Sequence, residues 1–151
     1  MRSTMYSCSS SSQCAELLKK KVTERMDKPV QCFVNKGGNW ASHMTGTRWD
    51  QKYGDYYAVC AARRNTMTSD SKTIFQITCK NYATLCILGN NYSDMTCLRD
   101  AMAETVKNSN ICRSSNFNLL ITTGSWSWRG FTNYATSTSD NNDGDCILIC
   151  S

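Results

Sequence analysis

The chain holds one histidine, His43, in the setting Trp40-Ala41-Ser42-His43-Met44, so every catalytic scheme that needs an imidazole rests on that side chain. Serine catalysis would need it beside an activated hydroxyl, and no Gly-x-Ser-x-Gly turn occurs to present one. Cysteine catalysis would need a spare thiolate, and nothing marks one of the ten cysteines as spare. A lone His on a strand reads more simply as an exposed side chain. Glycoside hydrolysis needs only two carboxylates, one protonated and one charged. Glu16, Glu24 and Glu104 fall on expected helices, which leaves Asp50, Asp55, Asp143 and Asp145 near loops. There, Gly54-Asp55 and Asp143-Gly144 read as turns, because Asp and Gly tolerate the backbone angles a hairpin demands. The run from Asp140 to Asp145 offers oxygen ligands for calcium. With Gly144 at the sixth loop position, however, Cys150 stands at the twelfth, where a bidentate Glu is required. No Gly-rich phosphate cradle or dinucleotide fingerprint occurs. No catalytic residue and no cofactor are therefore expected, and a small secreted hydrolase using acidic residues stays as an alternative.

The cysteines point elsewhere. Cys8, Cys14, Cys32, Cys60, Cys79, Cys86, Cys97, Cys112, Cys146 and Cys150 form an even set in a chain of 151 residues, which predicts a disulfide framework. Zinc would call for C-x2-C pairs or clustered His, yet the tightest spacing is C-x3-C at Cys146 and Cys150, so no metal site is expected. So many disulfides need an oxidising compartment, and secretion is the expectation. Met1-Arg2-Ser3-Thr4 is followed by no apolar signal segment, so any secretion signal is expected to have been removed. Asn91-Tyr92-Ser93 is a candidate N-glycosylation acceptor.

Two helix patterns and a series of strand patterns must position these residues. Ser11 or Ser12 can cap a first helix, with Ala15, Leu18, Val22 and Met26 on one face, five basic residues opposite, and Pro29 as its stop. Strands are expected at 30–34, within 40–49 and at 56–60. A second helix, capped by Asp94, carries Leu98, Ala101, Met102 and Val106 on one face, and strands are expected at 117–121, 125–134 and 146–150. Phe117, Leu119 and Ile121 would share one sheet face. Both halves read Cys, helix, strand, Gly-x-Trp, strand, Gly-Asp, strand, Cys, which suggests an internal duplication. The expected fold is thus α+β and disulfide-rich, with two related helix-plus-three-strand units and antiparallel sheets. A polar arm occupies 1–12, the first unit 13–62, a connecting segment 63–93 and the second unit 94–151, together one compact pseudo-duplicated domain. In the connecting segment, 73–79 and 83–88 read as a hairpin turning at Lys80-Asn81-Tyr82. Equivalent halves would pair Cys14 with Cys60 and Cys97 with Cys150, each tying a helix to its own last strand.

No run approaches the roughly 18 apolar residues of a bilayer span. The net charge of +5 suits an acidic glycan or an acidic protein, while no RNA or DNA motif accompanies it, so no nucleic-acid partner is expected. Arg63, Arg64 and the lysine-bearing helix are the candidate basic surfaces. Trp40, Trp49, Trp126 and Trp128 are candidate contact residues, although large rings also fill cores. The chain resembles no family at enough positions to carry residues across. The function expected is non-catalytic recognition of another extracellular macromolecule, including self-association, with a structural subunit of an extracellular polymer as a further alternative. Paired strand edges or an exposed aromatic patch would supply the contact.

Overall fold

The computed structural model describes residues 30–37, 40–53, 56–62, 67–88, 95–123, 125–129, 136–138 and 145–150, together with Gln13, Glu16 and Lys20, which are helical. Cys8, Cys14, Arg63, Arg64, Asn91 and Asp94 lie outside these residues, as do the arm 1–12 and most of the expected first helix. The described part is α+β, with antiparallel sheets and four disulfides.

Eight strands form two four-stranded sheets: β1 (Val30–Lys36), β2 (Trp40–Met44), β3 (Trp49–Tyr53), β4 (Tyr56–Ala62), β5 (Asn118–Thr122), β6 (Ser125–Arg129), β7 (Thr136–Thr138) and β8 (Asp145–Ile149). The first sheet has the order β3-β4-β1-β6 and the second β2-β5-β8-β7. Counting strands within each half, each sheet takes the third, fourth and first strands of one half and the second strand of the other. The expected middle strand at 40–49 is therefore two strands in different sheets. The break has a local cause: Thr45 N and Gly46 N both donate to the Phe117 carbonyl, at 3.0 and 3.2 Å, and Phe117 N donates to Thr45 Oγ1 at 3.2 Å. These bonds end the β2–β5 ladder and turn the chain across to the first sheet. In the second half, β6 falls within the expected strand at 125–134, of which 130–134 lie outside the described residues, and β7 falls in a stretch whose polar sequence suggests only a loop.

Side-chain alternation explains the layering. Phe33, Tyr57, Val59 and Ala61 of the first sheet meet Leu120, Ile147 and Ile149 of the second. The opposite face of the second sheet carries Phe117, Leu119, Ile121, Cys146 and Leu148, which pack under two helices. Both faces are covered, so β5 is buried along its whole length, a pattern of continuous apolar sequence rather than alternation.

The hairpin expected in the connecting segment is instead helix α1 (Ser69–Ala83), continued by a π-helical turn over Thr84–Leu88. Its start is fixed by Thr68, whose side chain accepts from Ser71 N at 3.1 Å, with Asp70 in the first turn and Lys80 in the last, where each suits the helix dipole. Thr73 and Thr84 donate their hydroxyls to the carbonyls four residues back, at 3.0 and 3.1 Å, which accommodates β-branched residues within a helix. Phe75, Cys79 and Ala83 recur every four residues and are the buried stripe. The second helix, α2 (Met95–Asn108), buries Met95, Leu98, Met102, Ala103 and Val106. It ends in a Schellman motif: Asn110, with φ 51°, donates to the Lys107 carbonyl and Ile111 to that of Val106, at 3.3 and 3.1 Å. Buried Ile111 beside buried Val106 completes the motif and directs the chain into β5.

The expected wiring is corrected. Cys60 pairs with Cys32, its direct neighbour across the β1–β4 ladder, with Cα atoms 4.1 Å apart. Cys97 of α2 pairs with Cys86, and Cys150 with Cys112. A helix is tied to the last strand, but the helix is α1 and the link is Cys79–Cys146. Cys60 already has a partner at ladder distance, so no helix need reach it.

Candidate functional site

Where β2 meets the first sheet, the Trp40 ring lies 4.5 Å from that of Tyr57 at an interplanar angle of 41°. The Tyr57 hydroxyl donates to Asp50 Oδ2 at 3.2 Å, and Asp50 Oδ1 accepts from Arg48 Nε at 3.3 Å. Arg48 also donates to the Gly46 carbonyl at 3.2 Å, so the turn out of β2 and the edge of β3 are held together. Burial of Tyr57, then the charge and hydrogen bond of Asp50, push its phenol up to about 12, against the opposing effects of Arg48 and Ser42. This tyrosine stays protonated as a donor. Asp50 is engaged by both neighbours, accepting from Tyr57 through Oδ2 and from Arg48 through Oδ1.

His43 points to the other side of β2. Its ring stacks on Phe117, with centroids 5.0 Å apart and planes 24° from parallel, and its Nε2 is buried without a hydrogen-bond partner. Burial, followed by Lys107 and Arg99, lowers its pKa, and Asp100 opposes them. His43 is thus half-buried rather than simply exposed. Ser42, the neighbouring residue, faces the opposite side of the strand.

The four tryptophans occupy different places. Trp40 is half-buried between the sheets, while Trp49 stands opposite Cys60 in the ladder and shares that residue's outer face. Trp126 and Trp128 lie opposite Asn35 and Phe33 in the β1–β6 ladder. Of the acidic candidates, Asp145 sits in β8 opposite Thr122 and Thr138, and Asp55 and Asp143 lie outside the described residues. An open groove of about 460 Å³ runs between α1 and α2, lined in part by Tyr82, Asp100, Glu104 and Asn108. Asp100 there accepts from Arg99 Nε at 3.0 Å. Among the described residues, no group of three His, Cys, Asp or Glu side chains could hold a metal ion.

Among the described residues, the exposed large apolar side chains lie where a strand is expected from the sequence. On α1, Ile74 and Ile77 are 43% and 56% exposed, and Leu85 in the following turn is 64% exposed. Steps of three and eight residues bring them to one outward stripe, opposite Phe75, Cys79 and Ala83. The Thr68–Asp70 start and the four-residue recurrence of the buried set were the signals that separate this stripe from a strand. The C-terminal half of its scaffold is cross-linked twice, by Cys79–Cys146 and by Cys86–Cys97. No family model, curated protein or solved structure matches this chain.

Proposed function

We propose that the chain is a secreted, disulfide-stabilised recognition protein that binds another extracellular macromolecule without catalysing a reaction, with self-association among its modes. The supporting observation is the apolar stripe of Ile74, Ile77 and Leu85, held outward on a cross-linked helix. Large apolar side chains aligned on a rigid surface suit a contact with a partner. Several disulfides, and the lack among the described residues of a helix long and apolar enough to cross a membrane, fit an extracellular protein. The net charge of +5 favours an acidic protein or glycan, and Asn91 would carry a glycan. The same reading takes the halves as copies of one helix-and-strand unit that exchanged their second strands, which the matching strand orders support.

The test compares wild type with Ile77→Ser/Leu85→Ser, whose exposed positions leave the core intact. Retention on immobilised extracellular-matrix extract, together with sedimentation velocity for self-association, should fall in the variant while circular dichroism is unchanged. Equal behaviour of the two proteins in both measurements would overturn the reading.

A further inference from the structure

We propose that the open edge of β2 and the exposed inward face of β3 form a step that takes an extended acidic polypeptide segment by strand addition. This inference rests on the recognition reading but concerns a different surface. Among the described residues β2 is an edge strand bonded to β5, so alternate N–H and C=O groups of Trp40–Met44 face away from the sheet. Natural edges are blunted by charged side chains or proline, and Trp-Ala-Ser-His-Met has no Lys, Arg, Asp, Glu or Pro.

β3 supplies the floor. Asp50 and Lys52 stand opposite Val59 and Tyr57 in the ladder, and cross-strand neighbours share a face. Both therefore occupy the face that Val59 and Tyr57 turn toward the second sheet. Both are nevertheless exposed, whereas Val59 and Tyr57 are buried. β2 is the strand beside them, because Trp40 and Ser42 both lie against Tyr57. The first sheet thus extends one strand beyond the second on this side. A strand added about 4.8 Å outside β2 would lie above β3 at the usual sheet-to-sheet spacing of about 10 Å.

Charge selects the occupant. Arg48 and Asp50 neutralise each other, which leaves Lys52 as the exposed charge of the floor, on a chain of net charge +5. An acidic side chain on the inward positions of the added strand meets Lys52, and a basic one meets a like charge. Two-fold pairing of β2 with the β2 of a second copy is obstructed, because the overhanging β3 would occupy the place of the other copy's β4.

The test is an amide-resolved NMR titration of the full chain with a blocked peptide of alternating Glu and Val, its Lys-Val counterpart, and the same Glu-Val peptide N-methylated at every residue. The Glu-Val peptide should shift the amides of Trp40–Met44, and N-methylation should abolish the shifts by removing the ladder donors. The Lys-Val peptide should bind more weakly, and Lys52→Glu should weaken Glu-Val binding about fivefold, as expected when one exposed charge pair is reversed. Absence of shifts along β2 at millimolar Glu-Val peptide, or equal shifts from the N-methylated peptide, would overturn the proposal. Either result would leave the Ile77→Ser/Leu85→Ser comparison free to decide the recognition reading on its own.

Discussion

The Thr122 hydroxyl donates to Asn35 Oδ1 at 2.7 Å, a hydrogen bond that crosses from β5 in one sheet to β1 in the other. Both residues are buried, at 0% and 1% exposure, so this bond joins the two sheets in a largely apolar layer that also holds buried Gln31 and Asn118. Asn35 stands opposite Trp126, and Thr122 opposite Trp40. Under the duplication proposed above, setting Trp40 equivalent to Trp126 also makes Asn35 equivalent to Thr122. The bond then lies where the two units meet.

Removing that bond should be costly. Thr122→Val keeps the shape but leaves Asn35 Oδ1 buried without this donor, and should destabilise the fold by roughly 1–3 kcal/mol. Urea unfolding followed by tryptophan fluorescence measures it; an unchanged midpoint would show that the layer admits water.

The proposed equivalence, set against the ladder registers, separates the informative sequence signals from the others. It carries Cys32–Cys60 onto Leu119 and Leu148, which are also direct ladder neighbours. A disulfide in one sheet thus corresponds to a Leu pair in the other, and Cys150 falls two residues beyond the position expected from Cys60. Strand pairing constrains the sum of two residue numbers and leaves each free to slip by two without changing face. Short motifs such as Gly-Asp and a terminal Cys therefore matched while the wiring did not. The alternation of Phe117, Leu119 and Ile121 was legible because one face must meet the helices. α1 was not, because Thr73, Ile74, Ile77 and Thr78 favour strands and its outward Ile residues disguise the helical period. The step at β2 and β3 depends on which sheet each strand joins, and local sequence does not state that.

Acid should weaken the fold through His43. Burial, followed by Lys107 and Arg99, lowers its folded-state pKa below the ordinary 6.5. The unfolded chain then binds more protons in the window between the lowered value and 6.5, so this contribution to stability is present above 6.5 and is lost as pH falls through the window. Urea midpoints of His43→Leu should change less between pH 7.5 and pH 5 than those of wild type. Parallel profiles would contradict this role.

Alkali should act through Tyr57. Its folded pKa of about 12 exceeds the ordinary 10, so its contribution is complete below pH 10 and disappears as pH rises toward 12. Absorbance titration at 295 nm should show a late-ionising phenol that Tyr57→Phe removes. A wild-type curve with no late component would count against the part-buried Tyr57–Asp50 contact.

The disulfides should differ in weight. Loss of Cys79–Cys146, with a separation of 67 residues, should cost about 4 kcal/mol, and loss of Cys86–Cys97, with a separation of 11, about 3 kcal/mol. Paired Cys→Ser variants, compared by guanidinium unfolding, give both values; a larger loss for the shorter loop would contradict the ordering.

Non-reducing peptide mapping by mass spectrometry tests the cross-linked scaffold on which both proposed contact surfaces depend. It should recover peptides joined through Cys32–Cys60, Cys79–Cys146, Cys86–Cys97 and Cys112–Cys150. Free thiols at these positions, or peptides joining Cys14 to Cys60 or Cys97 to Cys150, would contradict it.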